Sequence, residues 1–390
     1  MRRRHAHLGF LAAASIGSAA VIPSACGEQL PERSFVDSTR VLAVQVKVTQ
    51  PLVPDPPDAA TRCEALPGEV VRLTPFIVNA KGPVKVGLTD PVWIACQAHA
   101  GQNTFGCIKA ALPTSLEELP TCAADLDPSA NAEPAEEGSA PDFPAPHSPC
   151  LIPTADPNFA EYQVPFSANA FLGGNIEVTM VGSTPGGTPT RPCADALLAG
   201  RGEVPHDCLM AVQRVEIGPV GRLILMAKAL GLDLGGLQPP NPEDIPDADR
   251  NPRMVSMTVQ PADIAGNPAG EPVEVPYGGQ IDVQATANIL LHATALENDL
   301  QTYPMVVDET ETSERDEAYH THWFRSWGLL NTSSSDDPVS HNLWILDSEN
   351  PDEPDTPKDN IATLYYVIRD GRGGTDWWWF RANVGAPPNN

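Results

Sequence analysis

Apolar and polar residues alternate over short runs along most of this chain, the period of two expected of strands with one buried face. Val41 to Val48 (VLAVQVKV), Val70 to Val78 (VVRLTPFIV), Ile176 to Val181 and Met254 to Val259 each predict a strand. Trp93, Ile94 and Cys96 read as another core strand, and Val212 to Lys228 as a long one. Pro67-Gly68 and Gly278-Gly279 are turn signals leading into strands, the second into Gln280 to Val283. Tyr319 to Leu330 and Leu343 to Leu346 continue the pattern. The clearest hairpin joins Leu364–Arg369 to Trp377–Val384 through Asp370-Gly371-Arg372-Gly373-Gly374, whose glycines supply the positive φ of a tight reversal. One short helix is predicted at Ser115-Leu116-Glu117-Glu118, where Ser and Glu stand at capping-box spacing.

These elements predict an all-β chain: two Ig-like β-sandwich domains joined by a Pro-rich linker, with a disordered loop insertion. A Cys-rich sandwich is expected over residues 63–237 and a second sandwich over residues 254–386. Residues 123–149, rich in Ala, Pro, Glu and Asp, have little to bury and form the insertion. Residues 238–253 read as an acidic Pro-rich linker, and residues 26–62 as a tether carrying the first strand. The 42 prolines among 390 residues favour edge strands and extended connections.

Charge narrows the partners. Acidic residues number 50 against 24 basic ones, a formal −26, and this field repels phosphate backbones. Nucleic acid is not an expected partner.

The first residues carry an address. Arg2, Arg3 and Arg4 precede the uncharged run Leu8 to Ile22, which is too short for a permanent span, and small residues follow to Ser24-Ala25-Cys26-Gly27. Residues 1–25 therefore read as a signal peptide. Its end resembles the lipobox of bacterial lipoproteins, which implies a diacylglycerol on the Cys26 thiol, attachment to a membrane, and sorting to the outer membrane. Pro23 stands where such boxes usually carry Leu, so simple cleavage with periplasmic release is the competing outcome. Removing residues 1–25 takes away three arginines and no acid, moving the net charge from −26 to −29.

The other seven cysteines all fall between Cys63 and Cys208, and in an oxidising compartment such clustering reads as disulfides. Plausible local pairs are Cys96–Cys107, Cys122–Cys150 and Cys193–Cys208, leaving Cys63 over, although spacing does not fix connectivity. No CxxC pair exists to suggest a zinc site, and no cofactor is expected.

The closing hairpin, Val367 to Asp376, resembles the last strand pair of Ig-like and PKD-like sandwich domains. With Pro67-Gly68-Glu69, Asn251-Pro252 and Glu317 to Gly328 around Trp323, the chain is similar to uncharacterised lipoproteins of Gram-negative bacteria. That resemblance implies fold and address only.

Two places could carry function. Six of the seven tryptophans lie between residues 323 and 379. In the last strand Trp378, Phe380, Ala382 and Val384 share one face, and Trp377, Trp379, Arg381 and Asn383 share the other. Either Trp377 and Trp379 form an open aromatic ledge for a glycan or an envelope protein, or another part of the chain covers them. Second, His320 and His322 project from one strand face at a spacing that can chelate a metal, with His341, Asp336 and Asp337 nearby in sequence. The acidic runs 308–317 and 352–359 lack the spacing of an EF-hand. No Gly-x-Ser-x-Gly elbow or GxxxxGK loop occurs, and His206-Asp207-Cys208 reads as bridged cysteine rather than thiol enzyme. The expected function is a cell-envelope binding or scaffold module, not an enzyme; the alternative is an exported metal-binding protein or metal-dependent enzyme using His320 and His322.

Overall fold

Strands form where most of the alternating runs predict them, and among the described residues their pairing builds four larger sheets and one two-stranded ribbon. The computed structural model describes residues 34–56, 59–98, 115–122, 149–171, 175–199, 204–231, 240–285, 287–296, 300–308, 311–336, 339–346 and 357–385. The first half contributes β1 (Arg40–Gln50), β2 (Val70–Asn79), β3 (Gly82–Pro83), β4 (Val92–Ala98), β5 (Cys150–Leu151), β6 (Ala160–Gln163), β7 (Asn175–Ser183) and β8 (Cys208–Glu216). Sheet I has the order β5-β4-β7-β8; in sheet II, β1, β3 and β6 all pair with β2. Trp93, Ile176, Val178 and Met180 of sheet I meet Val46, Val71, Leu73 and Ile77 of sheet II in one core.

The second half contributes β9 (Met254–Ala262), β10 (Val273–Glu274), β11 (Gln280–Gln284), β12 (Asn288–Ala295), β13 (Thr302–Asp308), β14 (Glu311–Asp316), β15 (His320–Arg325), β16 (Leu329–Leu330), β17 (Ser334–Ser335), β18 (Val339–Ile345), β19 (Ile361–Arg369) and β20 (Thr375–Gly385). Sheet III runs β11-β20-β19-β15-β17, sheet IV runs β10-β9-β12-β18-β16, and β13 with β14 is a separate ribbon. The chain enters sheet IV through β9 and crosses to sheet III, where β11 pairs in parallel with the last strand, β20. Together with a fully buried Trp323 on β15, this is the arrangement of an Ig-like sandwich. Phe380, Ala382 and Val384 of sheet III pack on Val259, Ile289, Leu291 and Trp344 of sheet IV.

A third core joins the two sandwiches. Leu42, Phe76 and Val78 on the back of sheet II pack on Tyr365 and Val367 on the back of sheet III. Every residue from Ala362 to Ile368 is therefore buried, because both faces of β19 are covered. Hydrogen bonds cross the same junction. Gln45 Nε2 donates to Thr375 O at 2.8 Å, Arg369 Nη2 to Leu42 O at 2.7 Å and Thr363 Oγ1 to Ala80 O at 2.9 Å. Contacts gather Arg33–Asn390 into one compact unit.

Several expectations are corrected. The long strand Val212 to Lys228 stops at Glu216, and Val220–Ala229 is a helix that buries Leu223, Ile224 and Ala227. Leu, Met, Ala and Lys favour helix there, and the buried spacing is that of one helical face. The Ser115 segment forms only a single 3-10 turn, Leu116–Glu118, without a side-chain cap; Leu116 N donates instead to Asp195 Oδ1. Helices Ala168–Phe171 and Thr190–Ala199 were not predicted. The strand placed in the tether is β1, a full member of sheet II. Residues 240–253 are not a free spacer. Asp249 and Asn251 are buried, and the Asn251 side chain donates to Val46 O and accepts from Thr375 N, stitching both halves. Among the described residues no helix is long and apolar enough to cross a membrane.

Candidate functional site

Cys122–Cys150 and Cys193–Cys208 are disulfides, as their spacing suggested. Cys96 is also disulfide-bonded; its expected partner Cys107 lies outside the described residues, as do Cys26 and residues 123–148 of the insertion. Because Cys208 is bridged, the His206-Asp207-Cys208 run holds no free thiol.

Strand alternation places Trp377 and Trp379 together on the back of sheet III, and there sheet II meets them. Trp377 stacks on Phe76 with ring centroids 4.8 Å apart and planes 5° from parallel. Gly82 and Gly278 both lie against the Trp379 ring, where a Cβ at either would come within 3.2 Å of it. Arg381 also faces this ring, 5.2 Å from its centroid. Trp377 Nε1 donates to Tyr277 Oη at 3.1 Å. The two rings are therefore half-buried beside the third core, with Phe76 stacked on Trp377 and the backbone at Gly82 and Gly278 against Trp379, rather than standing clear of the chain.

His320 and His322 do share a face of β15. Nδ1 of His320 lies 2.8 Å from Asp336 Oδ1, and His322 packs beside Phe324, with burial first and Arg369 second lowering its pKa. His341 is elsewhere, on β18 against His292 of β12, and Asp337 lies outside the described residues. No group of three metal-type side chains forms around this pair among the described residues. Of the acidic runs, Glu317 is a buried structural group and Asp359 pairs with Lys81 at 2.6 Å.

The densest chemistry lies where sequence reasoning did not look. At the junction of the β1–β2 connection, the 240–253 strap and the β19–β20 turn, Arg372 is buried between two acids. Its Nη2 lies 2.7 Å from Glu64 Oε1 and its Nη1 lies 2.6 Å from Glu317 Oε1. Glu64 Oε2 accepts from Asp249 N at 2.9 Å, which fixes the strap to the first sandwich. Cys63 Sγ donates to Asp249 Oδ2 at 3.0 Å, and Asp249 Oδ1 accepts from Arg250 N. Asp370 Oδ1 accepts from Arg372 N and Gly374 N, closing the hairpin turn, while Asp370 Oδ2 is buried with no donor. Two glycines make this packing possible. A Cβ on Gly218 would sit 2.0 Å from Glu64 Oε1, and one on Gly374 would sit 1.8 Å from Asp370 Oδ2.

The charges do not balance. Arg372 answers Glu64 and Glu317, but neither Asp249 nor Asp370 has a Lys or Arg partner among the described ion pairs. Burial first, and then Asp370, pushes Asp249 well above the carboxylate range. Burial likewise pushes Asp370 to about 6 and nearby Glu216 to about 7. Burial and Asp249 raise the Cys63 thiol, so it stays protonated. For Arg372 burial opposes the charge, yet Glu64, Asp249 and Glu317 outweigh it and hold the guanidinium charged. A second buried pair, Arg62 to Glu69 at 2.8 Å, lies nearby and explains the Glu of Pro67-Gly68-Glu69.

No protein-family model matches the chain, and no curated protein sequence does. The solved structures similar to the chain at low scores include the following three. Dimeric latent PorU from Porphyromonas gingivalis is 12% identical with a TM-score of 0.18 over 89% of this chain and 24% of that one. The BSP domain of a biofilm-associated protein is 8% identical with a TM-score of 0.18, over 93% of this chain and 68% of that one. Extracellular cadherin domains 3–6 of protocadherin gamma B2 are 8% identical with a TM-score of 0.15, over 88% of this chain and 78% of that one. The chain spans about a quarter of the PorU chain it matches.

Proposed function

We propose that this chain is a cell-envelope lipoprotein that acts as a rigid scaffold or binding module, anchored by lipid on Cys26 and standing on the outer membrane. The observation that carries the reading is the third core between sheets II and III. Two independent sandwiches on a flexible linker would present moving surfaces; one body braced by Trp377, Phe76 and Tyr365 holds its surfaces at fixed spacing. The disulfides fit an oxidising compartment outside the cytosol, and a net charge of −29, which is −26 less the three arginines of residues 1–25, keeps such a body soluble and its surface away from anionic lipid. Partners are then envelope proteins or glycans that touch exposed strand surfaces.

Metabolic labelling with a tagged fatty acid, comparing the wild type with Cys26→Ala, tests the anchor. The wild type takes label and sediments with outer membrane, and the variant does neither. An unlabelled wild-type protein in the soluble periplasm would overturn the anchored reading.

A further inference from the structure

We propose that Cys63, Asp249 and Asp370 form a buried site for a single zinc-class divalent cation, taken up as the two sandwiches close on each other. One ligand atom from each of the three residues lies within 4.8 Å of the other two, and all three residues are buried. They come from three separate parts of the chain: the β1–β2 connection, the strap, and the turn of the last hairpin. An ion held here ties all three together.

Two independent observations point to a cation. Asp370 Oδ2 is fully buried and accepts nothing, although its sister oxygen accepts two backbone N–H groups. A buried carboxylate oxygen without a donor costs about 1–3 kcal/mol or more, so this oxygen calls for a proton or a cation beside it. The neighbouring acid Asp249 also lacks a Lys or Arg among the described ion pairs, while the buried guanidiniums nearby are taken, Arg372 by Glu64 and Glu317 and Arg62 by Glu69 and Asp55. Two carboxylates and a thiol buried together must be neutralised, either by protons of their own or by a cation, and a single cation would engage all three residues at once.

The donor set selects the ion. Calcium and magnesium take oxygen donors in larger shells, whereas one sulfur and two carboxylate oxygens suit zinc, which binds both at about 2.0–2.3 Å. The Cys63 Sγ to Asp249 Oδ2 separation of 3.0 Å places a thiol proton where the ion would sit. Entry of the dication then expels that proton and any proton held on the carboxylates, with no change of oxidation state. The surroundings keep Cys63 out of disulfide exchange, since it is 1% exposed in a chain whose other described cysteines are bridged.

The test uses the full chain, unfolded and refolded with its disulfides kept, in the presence of one equivalent of Co2+ or Zn2+. The proposal expects about one equivalent of metal to remain after gel filtration, and a thiolate-to-cobalt charge-transfer band that Cys63→Ser abolishes. Asp370→Asn separates the proposal from a metal-free cluster that shares protons. An Asn imitates the protonated acid, so in a metal-free cluster it leaves the melting temperature unchanged or higher. In a metal site it removes a ligand, and bound metal and melting temperature both fall. A wild-type chain retaining less than about a tenth of an equivalent overturns the proposal. So does metal retained in full by both variants, or a cobalt spectrum without the sulfur band.

Discussion

Replacing Arg372 with Met tests whether charge holds the junction together. Met keeps most of the aliphatic stem and removes the guanidinium. Glu64 and Glu317 stay in place, with side chains 6% and 0% exposed. Two effects compete. A buried ion pair as a whole adds little, because desolvation offsets most of the attraction, but removing one member strands the other. Here one substitution strands two carboxylates, so the second effect wins. Losing a single buried partner costs about 3–5 kcal/mol. The guanidinium also sits 4.2 Å from the Tyr303 ring centroid, a contact worth about 1 kcal/mol more. The expected loss is about 4–6 kcal/mol, a large part of a typical domain's stability. Urea unfolding at neutral pH, followed by tryptophan fluorescence, measures it. Adding Glu317→Gln to the Arg372→Met chain should recover part of the loss, with a coupling energy of about 1–3 kcal/mol, since Gln leaves no bare charge. A loss below about 1 kcal/mol, or two losses that simply add, would show that the ion pairs do not hold the junction.

Trp377→Ala removes a ring stacked on Phe76 at the junction and should cost about 2–4 kcal/mol in thermal or urea unfolding; an unchanged melting curve would restore the open ledge. Glu177 is buried with both carboxylate oxygens lacking donors, and burial raises its pKa against the opposing pull of Arg214. A raised acid holds its proton in the folded state, so its contribution is fully present below the ordinary carboxylate pKa and is lost as pH rises through the folded value. Glu177→Gln should accordingly melt higher than wild type at about pH 8 and equally at about pH 4. A lower melting point at both pH values would contradict the assignment. The Cys193–Cys208 bridge closes a loop with a sequence separation of 15, so replacing both residues with Ala should cost about 3 kcal/mol in oxidised protein, read by urea midpoint against untreated wild type.

Much of the fold was legible because strands announce themselves through local alternation. Val70 to Val78 and Trp377 to Val384 needed no distant information to be placed, and the latter even divided its residues correctly between two faces. What alternation does not encode is what lies opposite a face. Trp377 and Trp379 look like a surface pair until sheet II covers them. The stretch from Val220 to Ala229 misled for a different reason: a short apolar run fits both periods, and only its packing partners decide between them. The junction cluster was invisible because its members, from Cys63 to Arg372, are neighbours only in the folded chain. Metal-site reasoning from spacing searches for ligands a few residues apart, so Cys63 appeared merely as the cysteine left over.

Calorimetry of the full chain with its disulfides intact asks most directly whether the two sandwiches are one body. The third core and the buried junction predict a single transition whose calorimetric and van't Hoff enthalpies agree, and which Arg372→Met shifts as a whole. Two resolved transitions, only one of them moved by Arg372→Met, would contradict it.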